Sequence, residues 1–150
     1  LQDSTLAGHD LGGLFTLFAF LKRPEAFQNY LAISPALWWA ESALISLAQD
    51  TTASTLSPKS KLYLCAGALE AQHPTESLVS TLPEDLQAKL PQGILRPHIH
   101  RLDAALAPWK TQGLTLHTAT IPNETQGSVI GAGLSQGLRA LNSLTEIYGG

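Results

Sequence analysis

The sequence predicts an α/β fold, a parallel sheet with flanking helices, and three observations carry that prediction. Short apolar runs at residues 30–33, 61–66 and 114–121 have the length and composition of buried strands. Segments of helical periodicity lie between and after them, at residues 11–21, 37–49, 99–112 and from Ser128 onward. Gly, Pro, Ser and Asn mark the junctions. Strands that alternate with helices form a parallel sheet through right-handed crossovers.

Ser4 to Ala7 reads as a strand stub running into Gly8-His9-Asp10-Leu11-Gly12-Gly13. In the helix that follows, Leu11, Leu14, Phe15, Leu17, Phe18, Phe20 and Leu21 fall on every side, the mark of a buried helix. Lys22 and Arg23 suit its C-terminal end, and Pro24 stops it. The strand at 30–33 ends at Ser34-Pro35, and Trp38 and Trp39 fall in the first turn predicted for the next helix. Residues 50–60 are a Thr/Ser-rich loop, and the strand at 61–66 ends at Gly67. Residues 71–97 read as an irregular insertion, with prolines around a weak helical pattern at 84–90. Leu102, Leu106 and Trp109 give the next helix its apolar stripe. The last helix is capped by Ser128, and its stripe is Ile130, Leu134, Leu138 and Leu141.

Composition narrows the function. Across 150 residues, 9 Lys+Arg stand against 12 Asp+Glu, a net charge of −3, so no basic footprint for nucleic acid exists. Charged residues make up 14% and hydrophobic residues 44%, which excludes a disordered polyelectrolyte and implies unusually extensive burial. No uncharged apolar stretch is long enough for a transmembrane helix. Cys65 is the one cysteine, so an internal disulfide is excluded and the compartment, cytoplasmic or periplasmic, stays open.

Gly8-His9-Asp10-Leu11-Gly12 has the spacing of G-x-S-x-G, the sharp strand-to-helix turn that presents the nucleophile in α/β-hydrolases. Small residues flank the nucleophile because the turn leaves no room for side chains, and the helix N-terminus stabilises negative charge there. Asp10 holds the serine position. A carboxylate can open an epoxide or displace halide, but a histidine must then activate the water that releases the ester. Asp10 as a plain helix N-cap is the alternative. In this fold the histidine follows the last strand, and the loop Pro122 to Ser128 has none.

Three segments resemble the enterochelin-esterase-like branch of the esterase D superfamily, which acts on siderophore trilactones: AGHDLGGLFTLFAFLKRPEAFQNYLAISPALWW, KLYLCAGALE and ETQGSVIGAGLSQGLRAL. The family text looks like GHSxGG, ISPSLWW, G-x-x-E and E-x-H-G-S-V. The resemblance implies the C-terminal part of an α/β-hydrolase fold, its N-terminal strands missing, within a single domain over 1–150. It places Asp10 at the nucleophile serine, Gln126 at the catalytic histidine and Glu70 near the acid, with the Leu11 N–H as one oxyanion-hole donor. Both members of the Ser–His pair are replaced, and Gln cannot exchange a proton near pH 7, so Ser–His chemistry is expected to be lost.

His9, next to the turn, is expected to shape the pocket, and Trp38 and Trp39 either line it or belong to the core. His98, His100 and Asp103 lack a fourth ligand at matching spacing, so no metal is assigned, and no cofactor is expected. His73 reads as a surface residue, His117 as a partly buried strand residue and Cys65 as a small buried hydrophobe. Glu124 is expected to orient the loop carrying Gln126 by acting with Ser128 at the cap of the last helix. The expected ligand is a small ester. A further N-terminal segment or a partner chain is expected over the open edge of the sheet. Three functions follow: an esterase-type hydrolase impaired at its catalytic pair, an Asp-nucleophile hydrolase of the dehalogenase or epoxide-hydrolase type, or a non-enzymatic binding module.

Overall fold

A computed structural model describes residues 4–39, 43–50, 60–70, 83 and 95–142. Among these residues, four strands, β1 (Thr5–His9), β2 (Asn29–Ile33), β3 (Lys61–Gly67) and β4 (Thr115–Ile121), pair in parallel in the order β1-β2-β3-β4. Among the described residues, five helices accompany them: α1 (Leu11–Lys22), α2 (Ala43–Asp50), α3 (Leu95–Ala105), α4 (Ala107–Lys110) and α5 (Val129–Leu141). Register aligns His9 with Ile33, Ile33 with Cys65, and Gly67 with Ile121, so the loops carrying Asp10, Ser34, Glu70 and Gln126 leave from one edge.

Alternation along β2 divides the core. Tyr30 and Ala32 face one side, where Leu17, Phe20, Leu37, Ile45, Leu62, Leu64, Leu102, Leu106 and Trp109 pack with them. Leu31 and Ile33 face the other side, against Tyr63, Cys65, Ile121, Val129 and Leu141. Both faces of β2 are covered, which explains its unbroken apolar run. Phe20 meets the rings of Tyr30 and Trp109 at 5.2 Å each, and the Tyr30 hydroxyl donates to the Arg23 carbonyl at 2.9 Å.

Several expectations need correction. The segment predicted as one helix over 37–49 begins with a turn that holds Trp38 and Trp39, ahead of α2 at Ala43–Asp50. The predicted helix at 99–112 starts at Leu95, taking in the end of the expected insertion, and divides into α3 and α4 at Leu106. Pro108 stands in the first turn of α4, where its missing N–H costs nothing. The remainder of the insertion, with the pattern at 84–90 and His73, lies outside the described residues except for Pro83. His117 is exposed, because β4 is an edge strand.

Two helices depart from their predicted burial. In α1, Thr16, Leu17, Phe20 and Leu21 are buried, but Leu11, Phe15 and Phe18 are 53%, 61% and 45% exposed. In α5 the expected stripe at Ile130, Leu134 and Leu138 is exposed, and only Leu141 of that set is buried. The buried line is Val129, Gly133, Gly137 and Leu141. A Cβ on Gly133 would sit 3.0 Å from both Cys65 Sγ and Ile33 Cγ2, and one on Gly137 would collide with Leu31. Glycine brings the α5 backbone down onto the sheet, a contact that a search for large apolar residues does not register.

The candidate active site

β1 ends at His9 and α1 starts at Leu11, so Asp10 alone makes the bend. Its φ of 55° and ψ of −117° lie where few non-glycine residues go, and the surroundings hold it there. The Asp10 N–H donates to the Ile33 carbonyl at 3.1 Å, while the Asp10 carbonyl accepts from the N–H groups of Leu14 and Ala36 at 2.9 and 3.0 Å. The tightness of the bend dictates two of the three glycines. A Cβ on Gly8 would strike the Gly12 carbonyl, and one on Gly13 would come within 3.0 Å of the Ile33 carbonyl oxygen. Gly12 faces open space, contrary to the expectation that every small residue here is sterically required. Asp10 forms no side-chain cap for α1, which removes the N-cap alternative.

The loop after β4 reaches this bend from the far side. Gln126 Nε2 donates to Asp10 Oδ1 at 3.1 Å, between residues 116 positions apart in the chain. His9 Nε2 is 2.8 Å from the Gln126 carbonyl oxygen. A carbonyl only accepts, so Nε2 carries the proton in this contact. The imidazole expected to shape a pocket therefore tethers the backbone of the Gln126 loop. Leu11, as the first residue of α1, places its N–H among first-turn donors that have no partner inside the helix.

Glu70 lies in the turn after β3, where its Oε1 accepts from the Ser34 hydroxyl at 2.5 Å and the Gly67 N–H at 2.6 Å. Burial pushes this carboxyl above its ordinary value; the two hydrogen bonds and nearby His9 oppose that rise, and Asp10 adds to it. Gly67 must be glycine, since a Cβ would run into the Glu124 backbone. Leu69 N–H donates to the Glu124 carbonyl at 2.9 Å, and Ala68 N–H to that of Ile121 at 2.8 Å, locking the Glu70 turn to the loop of Gln126.

Ser34 was not singled out from the sequence. It is fully buried with φ 40°, and its N–H donates to the Cys65 carbonyl at 2.7 Å. Its position between Ile33 and Pro35, at a strand end, was the available signal. Burial raises the Cys65 thiol to about 12, so it stays protonated as expected of a core residue. The expected Ser128 cap takes another form: its hydroxyl donates to the Glu124 carboxylate and accepts from the Thr125 N–H at 3.0 Å, making no side-chain bond to the helix. Glu124 therefore orders the loop through Ser128.

Trp38 and Trp39 follow two and three residues after Ala36, the donor to the Asp10 carbonyl. Their rings stand 5.6 Å apart at 66° and are 37% and 53% exposed, which sets aside the core alternative. Asp103 is engaged by Lys110 Nζ at 2.9 Å, and no metal-binding cluster exists among the described residues. Among those residues, no helix is long and apolar enough to cross a membrane.

The Esterase family model matches residues 1–112. The chain belongs to that family. Curated relatives of this chain include the siderophore enterobactin esterase of Emericella nidulans, 30% identical over 147 residues, 95% of this chain and 48% of the relative. The ferri-bacillibactin esterase BesA of Bacillus subtilis is 37% identical over 74 residues, 48% of this chain and 26% of the relative. Among solved structures, siderophore hydrolase EstB from Aspergillus nidulans superposes with a TM-score of 0.72 at 23% identity, over 94% of this chain and 48% of that one. The enterobactin esterase FES from Shigella flexneri, solved in the presence of enterobactin, gives 0.66 at 22% identity, over 97% and 31%. These likenesses carry the fold. The chain spans about half the length of the Emericella relative.

Proposed function

We propose that this chain binds a small ester of the siderophore type at the edge of the sheet where Asp10 and Gln126 meet, and does not turn it over. One observation carries the reading: the residues at the serine and histidine positions of the resemblance are in contact, but as a carboxylate and a carboxamide. Asp10 attacking an ester carbonyl would form a mixed anhydride, and the Gln126 carboxamide cannot take up and return a proton near pH 7. Glu70 would stand as the acid of the site, the Leu11 N–H as an oxyanion donor, and Trp38 and Trp39 as walls for the ligand. The edge of β1, which pairs with β2 alone among the described strands, would take a further segment or partner chain. Saturation-transfer NMR with p-nitrophenyl butyrate should show binding without release of p-nitrophenolate above buffer. Release that disappears in Asp10→Asn, or the absence of any binding, overturns the proposal.

The Asp10 carboxylate at the bend favours a second reading, covalent capture of an alkylating substrate. Its oxygen would form the new C–O bond as the C–halogen bond breaks and halide departs with the electron pair. No base at Gln126 would activate water, so the ester would persist. Mass spectrometry after incubation with an alkyl bromide should then find an adduct on Asp10; an unmodified chain rejects this reading.

A further inference from the structure

The geometry points to a ligand that carries an alkylammonium group, its N–H donors against Asp10 and Gln126 and its apolar body against Trp38 and Trp39. This rests on the reading of the sheet edge at Asp10 and Gln126 as a ligand site and names the chemistry of what occupies it.

The first argument is the hydrogen-bonding sense of the pair. A carboxylate only accepts, so the Gln126 atom facing Asp10 Oδ1 must be the NH2 group, as found. The carboxamide oxygen is then directed away from Asp10, and the tether from His9 to the Gln126 carbonyl holds the loop in place. Asp10 Oδ2 and Gln126 Oε1 are both acceptors. A serine and a histidine would offer at least one donor; this pair offers a ligand chiefly lone pairs. A group rich in N–H donors complements it, and a positive one forms the stronger, charge-assisted bonds.

The second argument is the distribution of charge. Asp10, Glu70 and Glu124 stand on the loops at the C-terminal edge of the sheet. Lys22 and Arg23 close α1, Lys61 opens β3, Lys110 precedes β4, and Arg139 lies in the last turn of α5, all at the opposite end. Arg101 sits midway along α3. Among the described side chains, no Lys or Arg is therefore placed to neutralise Asp10 from a neighbouring loop. The third argument is aromatic: two exposed tryptophans follow the segment bonded to Asp10 and offer apolar surface to the body of a ligand whose charged end meets the carboxylate.

The test uses three probes of one shape and different charge: 2-phenylethylammonium, 2-phenylethanol and phenylacetate, titrated calorimetrically into the full chain. The ammonium should bind at least about tenfold more tightly than phenylacetate, with the alcohol between them. Asp10→Asn keeps an oxygen for Gln126 to bond and removes only the charge, so it should reduce that preference to within about twofold. Trp39→Ala should weaken all three probes to a similar degree and keep their order, and Asp103→Asn, far from the site, should leave the order intact. Equal binding of all three probes overturns the inference while p-nitrophenyl butyrate binding still upholds the ester-site reading. A preference that survives Asp10→Asn also overturns it, and failure of every probe and of the ester removes both.

Discussion

Gln126 donates its side-chain amide to the Asp10 carboxylate at 3.1 Å, joining the loop after the last strand to the bend after the first. The contact is ordered from both ends: the backbone of Asp10 is held by Ile33, Leu14 and Ala36, and that of Gln126 by His9.

Substitutions at this contact should separate charge from shape. Asn at position 10 retains an acceptor for Gln126 and tolerates positive φ, so Asp10→Asn should leave the unfolding free energy measured in urea within about 0.5 kcal/mol of the parent. Gln126→Glu sets two carboxyls together, and one of them should titrate well above the ordinary range in a carbon-detected NMR titration. Two ordinary titrations would show that the side chains separate in solution.

Glu70 predicts an unusual pH dependence. Its folded-state pKa is raised, chiefly by burial, so its favourable contribution is complete below the unfolded-state value and declines as pH rises through the folded one. Both of its hydrogen bonds end on Oε1, which glutamine also possesses. Glu70→Gln should therefore gain in thermal stability relative to the parent as pH climbs from below the ordinary glutamate range towards neutrality. A gap that narrows over that interval contradicts the assignment.

The seat of α5 on the sheet makes a steric prediction. Gly133→Val forces branched methyls against Cys65 and Ile33, where even a Cβ is tight, and should cost about 1–3 kcal/mol in urea unfolding. Gly131, which has open space around it, supplies the control: Gly131→Ala should be neutral or stabilising, by up to about 1 kcal/mol, through helix propensity.

The exposed ridges predict the reverse. Phe15→Glu and Leu134→Glu put charge where the chain meets solvent, so each should change stability by no more than about 0.5 kcal/mol and reduce binding of a hydrophobic dye. A loss of several kcal/mol would place those side chains in a core.

Residue type and spacing by themselves determined the strands, their parallel sense and the bend at Asp10. A buried strand needs an apolar run of limited length, and a turn this tight needs glycine at positions 8 and 13. Trp109, Leu102 and Leu106 were legible as core for the same reason. Which face of α1 and α5 is buried was decided only by tertiary packing. Periodicity weighs large side chains, whereas α5 approaches the sheet through Gly133 and Gly137 and leaves its leucines outside. The Ser34–Glu70 bond and the tether from His9 to Gln126 likewise join loops far apart in the chain. Their partners become neighbours only when parallel pairing brings the ends of β1, β2, β3 and β4 to one edge.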